Sequence, residues 1–142
     1  MSSNTVTAIL EKSWLQSAKW LFFIAVITIT YLALAPIEQP PGSNDKVNHL
    51  VAFFGLSVLI DAGFPRRSFI GTKMLVLMAF GISIEIAQSF FPYRSSSLAD
   101  WVADIVGLLI YCSGIPLLKK TYVLKARWTL NHHPLKDTDY GR

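Results

Sequence analysis

The stretch MLVLMAFGISIEIAQSFFPYRSSSLADWVADIVGLLI, residues 74–110, decides how the rest of the chain is read. Two apolar runs flank a short polar turn that holds Pro92, Arg94 and the serines Ser95 to Ser97. Ionisable residues nevertheless sit in these runs: Glu85 between Ile84 and Ile86, then Asp100 and Asp104. A charged group in hydrocarbon costs roughly 2.5–3.5 kcal/mol on insertion scales, so such positions mark pairing or function.

Outward from this stretch, the same pattern recurs. Apolar segments run from about Ala18 to Ala35, Val47 to Gly63, Phe69 to Phe91 and Leu98 to Leu118. Each is close to the roughly 20 helical residues that cross a bilayer core. None shows the two-residue alternation of a barrel strand, and open strands cannot cross lipid. The expectation is an all-α bundle of four transmembrane helices. Pro36, Pro40, Pro41 and Gly42 close the first segment, Gly63 to Pro65 the second, and Pro92 the third. Asn44 or Asp45 is placed to cap the second helix and Ser97 the fourth.

Composition agrees. The 142 residues are 52% hydrophobic and only 15% charged, against about 25% charged in soluble domains. One domain is expected: an interfacial segment over residues 1–17, the membrane domain over 18–118 and a basic tail over 119–142. The single cysteine, Cys112, excludes an internal disulfide. Lys12 and Lys19 precede the first apolar run, and Ala33-Leu34-Ala35 resembles a signal cleavage site. Pro36 disfavours cleavage there, so a retained helix is expected.

The net charge of +4 reflects topology rather than nucleic acid. With the N-terminus inside, the inner segments hold Lys12, Lys19, Arg66, Arg67, Lys73, Lys119, Lys120, Lys125, Arg127, Lys136 and Arg142. The outer segments hold Lys46 and Arg94. Eleven and two account for all 13 Lys and Arg residues. The bias predicts both termini in the cytoplasm. The Trp14 region reads as an interfacial amphipathic stretch, and residues 122–130 as a juxtamembrane basic stretch. His132 and His133 read as a solvated tail pair.

This topology gathers Asp45, Lys46, His49, Glu85, Gln88, Arg94, Asp100 and Asp104 on one side. Asp45 and His49 share a helix face, as do Glu85 and Gln88; Asp100, Asp104 and Gly107 form one stripe. Glu85 and Asp104 each lie six residues from the ends of their apolar runs, about 9 Å deep at 1.5 Å per residue. The expected arrangement is an outward polar pocket with Arg94 over its mouth. Each residue also has a plain reading. Asp100 fits a capping box with Ser97, and Asp45 a first-turn acid. Arg94 fits a snorkelling cation, and Glu85 a pairing with Arg94 or His49.

No HExxH or His-rich spacing exists, so no metal and no cofactor is expected. No nucleophile motif or glycine-rich nucleotide loop is present. Acid and histidine together suit acid–base chemistry or proton-coupled transport, though four short helices leave little room for alternating access.

Three motifs taken together resemble the VanZ-like family of small membrane proteins. They are Asp45-Lys46-x-x-His49-x-x-x-Phe53, Glu85-x-x-Gln88-x-Phe90-x-Pro92-x-Arg94 and Asp100-x-x-x-Asp104-x-x-Gly107. One position departs: the third motif often carries Asn where this chain has Asp104. The resemblance implies an integral membrane protein, and its name-giving member is associated with low-level resistance to teicoplanin. Three functions remain open. The pocket binds a headgroup, a lipid-linked envelope intermediate or a glycopeptide antibiotic, with Arg94 and Lys46 meeting anionic groups. Alternatively the chain is a hydrolase or transferase at the outer leaflet, or a non-catalytic structural subunit. Membrane lipids are the expected partners, a homo-oligomer is open, and the expected location is the inner or plasma membrane.

Overall fold

A computed structural model describes residues 3–37, 42–118 and 120, with side chains from residue 13 onward. The N-terminal 12 side chains, residues 122–130 and the His132–His133 pair lie outside this description. The described residues form four helices and no strand. Helix α1 spans Ser3–Leu34, α2 Asp45–Gly63, α3 Met74–Gln88 and α4 Leu98–Leu118. Ser13–Leu34, Asp45–Gly63, Phe69–Gln88 and Leu98–Leu118 are each long and apolar enough to cross a membrane.

Local chemistry sets the boundaries. Asn44 Oδ1 accepts from the Lys46 backbone N–H at 3.1 Å, opening α2. Ser97 Oγ accepts from the Ala99 N–H at 3.2 Å, opening α4. Ahead of α3, residues Phe69–Lys73 form a kinked turn in which Gly71 has φ 110°. A side chain there would have room, since nothing lies within 4 Å, but not a favourable backbone.

The third apolar run reaches Phe91, but α3 stops at Gln88. The chain then turns through short bonds, Phe90 N–H to Ala87 O and Phe91 N–H to Gln88 O. Pro92 disfavours a helical Phe91 and offers no N–H of its own. The matched depth expected for Glu85 and Asp104 is therefore wrong. Glu85 lies three residues from its helix end, while Asp104 lies six beyond the start of α4.

Helices α2 and α4 share the largest interface, and they run parallel. Residue contacts advance together along both: Lys46 with Asp100, His49 with Asp104, Tyr111 with Asp61. Gly107 permits the approach, because a Cβ there would sit 2.5 Å from the Leu50 carbonyl oxygen. Gly63 does the same for α1, where a Cβ would meet Lys19 Cα at 2.8 Å beside the fully buried Ala18 and Ala62. Small residues at crossings are how membrane helices gain close van der Waals contact.

Polarity is distributed opposite to that of a soluble bundle. Ile24, Ile27, Tyr31, Val51, Leu75, Ile86 and Leu109 are exposed, whereas Asp61, Lys73, Glu85, Asp100 and Asp104 are buried. Apolar surface outside and polar groups inside is the arrangement that hydrocarbon solvent favours.

One buried cluster lies outside the sequence expectations. Lys73 Nζ is 2.5 Å from Asp61 Oδ1, and the Tyr111 hydroxyl donates to Asp61 Oδ2 at 2.7 Å. It ties α2, the kinked turn and α4 together at the end opposite the polar motifs. Lys73 is thus an internal ion-pair member rather than a surface cation, which leaves ten of the eleven inner Lys and Arg residues for the topology count.

Candidate functional site

The N-terminal ends of α2 and α4 lie side by side at the other pole, with Asp45 and Asp100 in their first turns. Acids are favoured there by the helix dipoles. One turn further into α2, His49 presents both ring nitrogens to acids. Its Nδ1 is 2.9 Å from Asp104 Oδ1, and its Nε2 is 4.0 Å from Glu85 Oε1. A carboxylate facing Nδ1 makes that nitrogen the donor, so Nε2 is the acceptor of a neutral ring. Asp104 Oδ2 lies where a Cβ on Gly81 would meet it at 2.6 Å, so Gly81 provides the room for this carboxylate.

Glu85 replaces the expected capping box. Its Oε2 accepts from the Ser97 backbone N–H at 2.8 Å. That is the donor an acid at position 100 would satisfy in a capping box. Asp100 instead faces Lys46, with 3.7 Å between Asp100 Oδ1 and Lys46 Nζ. Sequence spacing alone does not separate a local cap from one supplied by another helix.

Arg94 does not pair with Glu85. Its Nη2 donates to the carbonyls of Leu32 at 2.5 Å and Ala35 at 2.6 Å. Gln88 Nε2 donates to Ala33 O at 3.1 Å, and the Tyr93 hydroxyl to Leu34 O at 3.1 Å. Together these side chains close the C-terminal end of α1, where Pro36 stops the helix and the last carbonyls lack helical partners. Glu85 and Gln88, expected on one face, thus serve different neighbours.

A cavity of about 490 Å³ lies beside this network. Ile29, Leu32 and Ala33 of α1, Val51, Ala52 and Phe53 of α2, and Ile84 of α3 line its apolar part; Asp45, His49, Gln88 and Arg94 line its polar part. Leu32 and Val51 are more than half exposed, so the cleft opens sideways through the apolar surface. A more polar cavity of about 550 Å³ adjoins it through Ile37, Asp45, Gln88 and Arg94. Lys46, Glu85, Asp100 and Asp104 do not line either cavity; the last three are buried behind or beside His49.

Sequence reasoning missed Asp61, Lys73 and Tyr111. The signal existed: Asp61 stands between Ile60 and Ala62 as Glu85 stands between two isoleucines. Ala33 and Ala52, which line the cleft, carry no polar signal at all.

Fold and site define a multi-pass helical membrane protein with a polar cluster at one end of the bundle. A family model described as VanZ/LLP1 matches residues 3–119, and the chain belongs to that family. An uncharacterized protein of Schizosaccharomyces pombe is 36% identical over 105 residues, covering 72% of this chain and 62% of that relative. The matched region is thus less than two thirds of the relative's length. No solved structure matches.

Proposed function

We propose that the lateral cleft binds an amphiphile, with its apolar part among α1, α2 and α3 and its headgroup at Asp45, His49, Gln88 and Arg94. The observation that carries this reading is the side opening through apolar surface into a cavity with one polar end. A ligand arriving from lipid needs such a route; a water-soluble ligand does not. Predominantly apolar pockets with a few placed polar groups are the usual form of small-molecule sites. The Lys and Arg distribution supports an outward-facing polar end, and the proposed location is the inner or plasma membrane. A lipid or lipid-linked intermediate is favoured over a glycopeptide antibiotic, because the cleft is lined mainly by apolar side chains and opens through apolar surface.

The test is lipid analysis of the purified protein beside Ala52→Phe, which fills the cleft. A defined lipid class retained by the parent protein and lost in the variant is expected. Equal, non-selective lipid retention by both refutes the reading. A resistance role is tested separately, by teicoplanin susceptibility of a host expressing the chain.

One observation favours a second reading. The His49–Asp104 pair, with Nε2 as acceptor, is the arrangement of an oriented general base. Turnover of a lipid-linked substrate by purified protein, lost in His49→Gln, establishes catalysis; saturable binding without product rejects it.

A further inference from the structure

The polar end holds more acid than base. Asp45, Glu85, Asp100 and Asp104 face Lys46, His49 and Arg94, and Arg94 Nη2 is committed to the α1 carbonyls. Such an end is poorly suited to anionic headgroups by itself. Asp45, His49 and Asp100 each offer one ligand atom, and these atoms lie within 4.8 Å of one another. Glu85 Oε1 is buried 4.0 Å from His49 Nε2 and has no hydrogen-bond partner among the described residues. Asp100, 3% exposed, has its Oδ1 in the same condition, with the Lys46 ammonium 3.7 Å away. Buried carboxylate oxygens without donors are rare and unfavourable, and a cation is one remedy.

We infer that this cluster is a divalent-cation site. Asp45, Asp100 and His49, through the ring nitrogen that Asp104 does not hold, are the ligands, and Glu85 Oε1, 4.0 Å from Nε2, stands beside them as an outer carboxylate. Asp104 holds Nδ1 from behind and fixes the ring, as outer carboxylates do for ligating histidines. Bonds of about 2.0–2.2 Å place tetrahedral ligand atoms roughly 3.4 Å apart. From the 4.8 Å limit the three ligand atoms therefore close by little more than an ångström. One imidazole with carboxylates and no thiolate suits Zn²⁺ or Mn²⁺. Lys46 competes with the metal for Asp100 Oδ1. A bound cation also gives the acidic end a contact for phosphate or pyrophosphate. That bridging role rests on the amphiphile reading; the metal site does not.

The test uses the full chain in nanodiscs, stripped by chelator, then titrated with Zn²⁺ and with Mn²⁺ by calorimetry with elemental analysis. Expected is one cation per chain, retained when His132 and His133 are both replaced by alanine. Binding is lost in His49→Gln and weakened about 10- to 100-fold in Asp104→Leu. Lys46→Gln binds several-fold tighter, a gain that misfolding cannot produce. Absence of saturable binding, binding that disappears with His132 and His133, or binding unchanged in His49→Gln overturns the site. Metal binding without a retained lipid leaves the site standing and removes only its bridging role.

Discussion

Asp104 is the residue whose meaning changes most between sequence and structure. By family pattern it stands where Asn is common, and its charge looks surplus. In the structure its Oδ1 holds His49 Nδ1 at 2.9 Å. An asparagine carbonyl oxygen accepts the same bond. Asp104→Asn is therefore expected to keep the ring orientation and ligand retention, whereas Asp104→Leu loses both. Histidine NMR in the two variants, with lipid retention beside it, checks this. Failure of Asp104→Asn to retain ligand shows that the charge, not the hydrogen bond, is what matters. Arg94 is similarly redefined, because its short bonds to Leu32 and Ala35 seat α1. Arg94→Ala leaves the carbonyl of the buried Ala35 unsatisfied, at about 1–3 kcal/mol, and removes the donor from Leu32. The expected result is faster proteolysis near residues 32–37, and unchanged cleavage refutes the seating role.

At the scale of elements, α2 and α4 behave as one parallel unit, closed at both poles by polar contacts. Asp61 and Lys73 form the buried pair at the second pole, at 0% and 3% exposure. Removing one partner of such a pair costs about 3–5 kcal/mol, while replacing both with apolar residues is often neutral. Asp61→Leu and Lys73→Met are each expected to lower the thermal midpoint strongly, and the double variant to recover much of the loss. Additive losses would show that the pair is not the stabilising unit. Gly107→Val drives a side chain toward the Leu50 carbonyl. Overpacking of this kind costs about 1–3 kcal/mol, and crosslinking between cysteines placed on α2 and α4 is expected to fall. Unchanged crosslinking would mean that the interface tolerates a wider spacing.

For the whole molecule, the charge pattern predicts how it sits in the membrane. Cytoplasmic placement of both termini is what the charge bias predicts, and burial of Lys73 leaves that bias strong. Cysteines at Ser95 or Ser96 are expected to react with an impermeant thiol reagent added outside intact cells. Reaction only after lysis reverses the orientation. The helices themselves were legible, because the number and length of apolar runs follow from bilayer thickness. The grouping of His49, Glu85, Asp100 and Asp104 was legible as one end of the bundle. Which atom meets which was not. Of the two partners expected for Glu85, His49 lies 4.0 Å away and Arg94 is bound elsewhere, while its other oxygen takes a backbone N–H twelve residues on, at Ser97.

The amino-acid sequence by itself determined four helices long and apolar enough to span, the caps that open two of them, and the burden of ionisable groups in apolar runs. These follow from local rules: helical rise, backbone satisfaction and transfer free energy. Only the tertiary structure decided that α2 and α4 run side by side in parallel and that Asp104 belongs to His49. It also decided that Asp61 and Lys73 form a second pole, and that a cleft opens among α1, α2 and α3. Those outcomes depend on where glycines let backbones approach and on partners far apart in the chain, such as His49 and Asp104, 55 residues apart. No short window of sequence carries that information.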